Sequence, residues 1–166
     1  MTVDTKPTGR VPGRWGNRAM RMASAMHIQL YRRTGGRLGG AFPGGAPVLL
    51  LHTTGRKTGS KRTTPLLYIV DRDDLVVIAS AGGAAKHPAW WLNLRAQPAA
   101  TVQVGRDTIP VRAEEATGDE REHLWARAVD VYSGYAGYHK KTSRRIPVVV
   151  LRRTRAGHET TNARDA

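Results

Sequence analysis

The connections between the apolar runs of this chain are too short for anything but antiparallel pairing. β-Branched, apolar stretches at about 47–53, 63–70 and 74–80 are separated by a glycine-bracketed tip, Gly55–Gly59, and by the turn Asp71–Asp74. A second pair, Thr101–Val104 and Thr108–Arg112, alternates around Gly105–Arg106–Asp107. Parallel neighbours need a crossover of about a dozen residues or more, which these connections cannot supply. Ile146–Leu151 is a last strand, apolar on both faces. The expected fold is mainly β with added helices, a small antiparallel barrel with helices at its periphery.

Three segments carry helical spacing. Trp15, Ala19, Met22, Ala23, Met26 and Leu30 form an apolar stripe over 15–31, with Asn17, Arg18, Arg21 and Gln29 opposite. Such a helix either packs on the core or lies, basic and Met/Trp-rich, on a membrane. His87–Arg95, with Pro88 in its first turn, is a short helix that ends before Pro98. Thr117 or Asp119 caps a helix through about Val131, with Glu120 and Glu122 well placed against its dipole. Glycine and proline density makes 34–47 a loop. The domain reading is a flexible basic arm over 1–14, one domain over 15–151 and a polar tail over 152–166.

Charge is uneven along the chain. Residues 1–62 hold twelve Lys or Arg against Asp4, residues 63–137 are net acidic, and residues 138–166 are basic again. That distribution points to a polyanion at one surface: nucleic acid, an anionic membrane face or a phosphorylated small ligand. The absence of cysteine excludes disulfides, thiolate catalysis and Cys-ligated zinc. Six scattered histidines without an H-E-x-x-H pair give no metal site. No apolar run is long enough to span a bilayer and no signal-peptide core is present, so the sequence predicts a cytosolic protein.

The stretch His52–Val70 concentrates the chemistry. Arg56, Lys57, Lys61 and Arg62 surround a tip whose glycines permit exposed backbone N–H groups, a combination suited to phosphate or carboxylate. The alternative is a solvated hairpin end. Its spacing is not that of a nucleotide-cradling P-loop. After the third strand, Ala79-Ser80-Ala81-Gly82-Gly83 is small enough for a planar ligand to approach the backbone, or is simply a flexible loop. Trp90 and Trp91 are adjacent on a helix, so one is expected in the core and the two cannot both face inward. Tyr132, Tyr135 and Tyr138 recur every third residue, a phenolic ridge on one helix interrupted by Gly134 and Gly137. Those glycines suggest a mobile wall rather than a core element, with ordinary tyrosine packing as the alternative. No Ser-His-Asp or paired-carboxylate arrangement is evident, so enzymatic chemistry here would fall to a bound cofactor.

These pieces together resemble the deazaflavin-dependent nitroreductase family, also described as quinone reductases that use reduced coenzyme F420. The resemblance runs from about Tyr31 to Leu151. It is carried by Thr53–Gly59, Arg62-x-x-Pro65-Leu66, the Ser80 loop, Pro88-x-Trp90-x-Leu92-Asn93-Leu94, the three tyrosines and Ile146-Pro147-Val148-Val149. It implies a split antiparallel β-barrel and a polyanionic coenzyme with a phosphodiester and a glutamate tail. By position, Arg56, Lys57 and Arg62 would hold that tail. Thr58, Thr63, Thr64, Pro65, Leu66, Leu67, Ile78, Ala79, Ser80, Ala81, Ala89, Trp90, Trp91, Leu92 and Asn93 would surround the deazaflavin ring. Trp90, Tyr132, Tyr135 and Tyr138 would face the substrate, with Ser80 and Tyr135 as the catalytic hydroxyls. The implied reaction is hydride transfer to an electrophile such as a quinone, enone or nitroaromatic. Members that activate nitroimidazoles carry Lys where this chain has Ala81 and Trp where it has Lys140 and Lys141, so that substrate is not implied. Arg14 and Arg18 are candidates to replace the missing cation. The rival readings are a non-enzymatic split-barrel protein binding coenzyme F420, flavin or haem, and a basic nucleic-acid-binding module. Against the latter, the aromatics lie away from the basic runs.

Overall fold

The computed structural model describes residues 14–42 and 44–154, and within them the side chains of 14–21 and of His139 lie outside the description. The arm predicted before Arg14, the tail beyond Thr154, and the side chains of Arg14, Trp15, Arg18, Ala19 and Arg21 therefore fall outside it. In chain order the elements are α1 (Arg14–Thr34), β1 (Val48–Thr54), β2 (Lys61–Asp71), β3 (Asp74–Ile78), α2 (Ala89–Ala96), β4 (Ala99–Val104), β5 (Asp107–Glu115), α3 (Gly118–Val131), α4 (Gly134–Lys141) and β6 (Val148–Arg153), with a single 3₁₀ turn at Ala81–Gly83. The six strands close into a barrel in the order β1-β2-β3-β6-β5-β4, every neighbouring pair antiparallel.

Alternation along the strands builds two layers of core. Leu49, Leu51, Leu75, Val77, Val102, Val111, Val149 and Leu151 point inward and fill the barrel. Ile69, Val76, Ile78, Val148 and Val150 point outward and are covered by Leu124 and Ala128 of α3, by Tyr135 and by Ile146. Each fully buried aliphatic side chain contributes about 1.5–3 kcal/mol. β6 is thus buried on both faces, as its unbroken apolar run requires. It continues to Arg153, past the boundary predicted for the tail, because its ladder with β5 runs on through Arg152 opposite Arg112 and Arg153 opposite Val111. The Arg152 guanidinium also reaches Glu114 at 2.7 Å, Asp74 at 3.0 Å and Glu120 at 3.1 Å.

Two departures from the expected helices matter for function. The stripe Met22, Met26 and Leu30 does not pack on the core: these side chains are 71%, 73% and 43% exposed. The face of α1 that docks instead carries Tyr31, whose hydroxyl donates to the Val48 carbonyl at 3.0 Å and accepts from the Gly105 N–H at 2.9 Å. Nor do the three tyrosines share one helix. Tyr132 is extended (φ −143, ψ 96) and terminates α3, and α4 starts afresh at Gly134.

β2 makes the barrel split. Its first part, 61–67, pairs with β1, and only 68–71 pairs with β3. Tyr68 N–H donates to the Pro47 carbonyl at 3.1 Å, on the β1 side. Alternation then turns the backbone groups of Thr63, Pro65 and Leu67 the other way, toward an edge without a ladder partner among the described residues. Pro65, which has no N–H, is tolerated in the strand because its nitrogen faces that open edge.

Candidate functional site

The open edge of β2 borders two adjoining cavities. The larger, about 540 Å³, is lined by Gly55, Arg56, Lys57, Thr58, Arg62, Thr63 and Thr64 from the β1–β2 hairpin and by Ala89, Trp90 and Asn93 from α2. The smaller, about 240 Å³, is lined by Pro65, Leu66, Leu67, Ile78, Ser80, Ala81, Gly82, Trp90, Tyr132, Tyr135 and Tyr138, with Phe42. Trp90 belongs to both. One cavity is cationic and threonine-lined, the other apolar and phenolic.

The hairpin tip is fixed, though not by the mechanism its glycines suggest. Gly55 N–H donates to the Ser60 carbonyl, and Thr58 and Gly59 N–H both donate to the Gly55 carbonyl. Arg56 N–H donates to Asn93 Oδ1 at 3.2 Å. Asn93, buried, also donates from Nδ2 to Thr53 Oγ1 at 3.3 Å. The backbone donors of the tip are thus mostly consumed inside the hairpin. The exposed side chains of Arg56, Lys57 and Arg62 supply the positive charge of the larger cavity, and Asn93 anchors the tip at Arg56.

Both tryptophans are buried, contrary to the expectation that only one would be. Helix α2 sits against the barrel so that Trp91 joins the interior cluster while Trp90 closes its edge and shows the rest of its surface to the cavities. Of the residues predicted around a ring, Ala79, Trp91 and Leu92 line neither cavity. Ala79 is fully buried, and its contribution is a carbonyl.

The tyrosines converge despite the helix break. Tyr132 meets Tyr135 edge-on at 5.1 Å between ring centroids and Tyr138 at 6.2 Å, and their hydroxyls, Tyr132 and Tyr138, lie 3.0 Å apart. Phe42, from the loop before β1, stacks edge-on against Tyr132 at 5.6 Å. Tyr135 is a core element rather than a mobile wall: it is 7% exposed, packed in the outer core cluster and 6.3 Å from Trp125. The glycines on either side shape the backbone without freeing the ring. Burial, reinforced by Tyr132 and Tyr138, raises the Tyr135 phenol well above its ordinary value. It therefore stays protonated at any physiological pH and can only donate or accept a hydrogen bond, not act as a base. No partner for its hydroxyl occurs among the described residues.

Ser80 ends the turn out of β3, buried, and its hydroxyl caps nothing. The loop that carries it is held by Arg144, a residue that strand and helix spacing do not reveal. Its guanidinium donates to the carbonyls of Ser80 at 2.7 Å, Ala84 at 2.8 Å and Ala79 at 3.1 Å, and lies 3.2 Å from His87 Nδ1. The clamp has work to do. Ala81 (φ +48) and Gly82 (φ +65) are both left-handed, a conformation an alanine adopts only under constraint. Desolvation, then Arg144, holds the His87 imidazole below its usual value, so His87 meets the guanidinium as a neutral acceptor.

Known proteins similar to this chain share its family and its barrel. The family model described as F420H(2)-dependent quinone reductase matches residues 23–153. An F420H(2)-dependent quinone reductase of Mycobacterium tuberculosis is 41% identical over 131 residues, which cover 77% of this chain and 88% of that protein. The solved structure of an F420-H2 dependent reductase (FDR-A) is 43% identical with a TM-score of 0.59, over 63% of this chain and 93% of that one. A protein solved as a domain-swapped dimer is 37% identical with a TM-score of 0.62, over 81% of this chain and 98% of that one. The haem storage protein HutZ of Vibrio cholerae shares the fold alone, at 12% identity and a TM-score of 0.51, over 79% of this chain and 90% of that one.

Proposed function

The chain belongs to the F420H(2)-dependent quinone reductase family, and on that premise we propose that its two adjoining cavities hold the cofactor and a quinone-like acceptor side by side. It is an oxidoreductase that uses reduced coenzyme F420. The observation that carries the proposal is Trp90, a wall common to the cationic cavity and the phenolic one. The cationic cavity fits a polyanion: three exposed cations line it and no carboxylate does. When bound, reduced coenzyme F420 supplies a hydride.

The residues of this chain then bind, position and stabilise. Arg56, Lys57 and Arg62 hold the anionic tail by charge-assisted hydrogen bonds. Thr58, Thr63, Thr64 and Ala89 border the passage from tail to ring, and Pro65, Leu66, Leu67, Ile78 and Ala81 offer backbone and apolar surface beyond it. Tyr132, Tyr138 and Phe42 pack over the acceptor and exclude water. Ser80 and Tyr135 donate hydrogen bonds to the acceptor oxygen as negative charge develops on it.

The test is cofactor oxidation followed by absorbance with a panel of soluble quinones, enones and nitroaromatics, run on the native chain and on Tyr135→Phe. The native chain should oxidise the cofactor with quinones. Tyr135→Phe keeps the ring that packs the core, so it should fold and bind cofactor normally while turnover falls roughly 10- to 100-fold. Binding without oxidation of the cofactor by any acceptor would leave a carrier instead of an enzyme. A sharply lower melting temperature with normal turnover would make Tyr135 structural.

The exposed ridge of Met22, Met26 and Leu30 supports peripheral attachment to a membrane, where lipid-soluble quinones are found. No helix among the described residues is long and apolar enough to cross a bilayer. Replacing Met22 and Met26 with Asp should abolish co-sedimentation with anionic liposomes and leave reduction of soluble quinones intact. If the native chain does not sediment with such liposomes at low salt, the ridge serves something else.

A further inference from the structure

A third cavity lies on the outside of the barrel, where α1 crosses the strands. It measures about 520 Å³ and is lined by Arg32 of α1, His52 and Thr54 of β1, Lys61 and Thr63 of β2 and Thr101 of β4, with no carboxylate among its lining residues. Strand register explains the grouping. His52 stands opposite both Thr63 and Thr101, and Thr54 opposite Lys61, so all five share the outward face.

Two hydrogen-bonding contacts inside the groove meet at Thr63. Arg32 donates to Thr63 Oγ1 at 3.2 Å, and His52 Nδ1 lies 3.0 Å from the same oxygen. A guanidinium can only donate, so Thr63 Oγ1 accepts from Arg32, and its remaining lone pair or its own hydrogen meets His52 Nδ1. Burial, then the charges of Arg32 and Lys61, holds this imidazole below its ordinary value, so it is neutral near pH 7 while its two neighbours remain charged. Arg32 and Lys61 are the charged groups that face it, from α1 and β2, and β4 contributes the hydroxyl of Thr101. Two cations, an imidazole and the hydroxyls of Thr54, Thr63 and Thr101 line one groove with no acid among its lining residues.

We infer that this groove is a binding site for an oxyanion, a phosphate or carboxylate group, distinct from the paired cavities and meeting them only at Thr63. A bound anion opposes the field of Arg32 and Lys61 at His52, so it favours the imidazolium and adds a third charged donor. Occupancy and protonation of His52 are thereby linked. The anion could come from an independent phosphate compound or from the far carboxylates of a polyglutamate. These sources share their recognition chemistry and differ in charge spacing.

The test follows the imidazole signals of His52 by NMR at low salt, during titration with inorganic phosphate and, separately, with γ-linked triglutamate. Native protein and Arg32→Gln are compared, with melting temperature as the control for folding. The expected result is a saturable shift at His52 with at least one anion, an upward move of its titration midpoint in the complex, and roughly tenfold weaker binding in Arg32→Gln. Tighter binding of phosphate names an independent phosphate ligand, and tighter binding of triglutamate names a tail. No saturable shift with either, or equal affinity in Arg32→Gln, overturns the site. No arm contains the cofactor, so this inference and the hydride-transfer reading fail separately.

Discussion

Replacing Arg56, Lys57 and Arg62 together with glutamine is expected to weaken coenzyme binding by about a hundredfold or more at low ionic strength. All three line the larger cavity beside Trp90, and Asn93 anchors the tip that presents them. Fully formed charge-assisted bonds contribute about 1.5–3 kcal/mol each. These side chains are exposed, so screening reduces that to roughly 1 kcal/mol apiece. Three such contacts still amount to about 3 kcal/mol, or two orders of magnitude in Kd. The native affinity should fall steeply with added salt and the variant's affinity hardly at all. Titration by fluorescence quenching reads both. Equal affinities at low salt would show that the tail lies elsewhere. The backbone of the tip should be undisturbed, because its hydrogen bonds run through Gly55, Ser60 and Asn93.

Arg144→Ala should damage stability and turnover together. The carbonyls of Ala79, Ser80 and Ala84 lose the guanidinium, and the left-handed pair Ala81–Gly82 loses the clamp beside it. We expect a destabilisation of about 2–4 kcal/mol from the lost charged hydrogen bonds. Turnover should fall roughly 10- to 100-fold even well below the melting temperature, because the Ser80 hydroxyl no longer meets the acceptor in register with that of Tyr135. Arg144→Lys should not rescue it, since one ammonium cannot span the carbonyls of Ala79, Ser80 and Ala84 as a planar fork does. Normal turnover in Arg144→Ala would assign the clamp to the fold alone.

The architecture was legible because strand period and turn length are local properties. Asp71–Asp74 and Gly105–Asp107 dictate hairpins, and the doubly apolar Ile146–Leu151 run places a strand in the middle of two layers. The cations of the tip, the Ser80 loop and the tyrosine cluster were legible as residue types in order. Their geometry was less so. Which face of α1 docks depends on long-range contacts of His27, Ile28, Tyr31 and Arg32, and no stripe of methionines can report them. Spacing places Tyr132 on a helix that in fact stops there. Burial of both Trp90 and Trp91 follows from α2 resting on the barrel rather than from helical phase. Arg144 acts on backbone carbonyls, which leave no trace in side-chain patterns, and Phe42 reaches its cavity from a glycine-rich loop that has no period at all.

The unpaired edge of β2 carries a consequence for how this site tolerates change. Thr63, Pro65 and Leu67 turn main-chain groups, not side chains, toward the gap, and two N–H donors and three carbonyl acceptors stand there in strand register. A flat ligand with alternating donors and acceptors occupies such a gap as a surrogate strand, completing the sheet where the polypeptide does not. Recognition of that kind is written in the trace of the backbone. With the cofactor placed as proposed, side chains along β2 are free to change with the acceptor while the main-chain groups that face the ring stay the same.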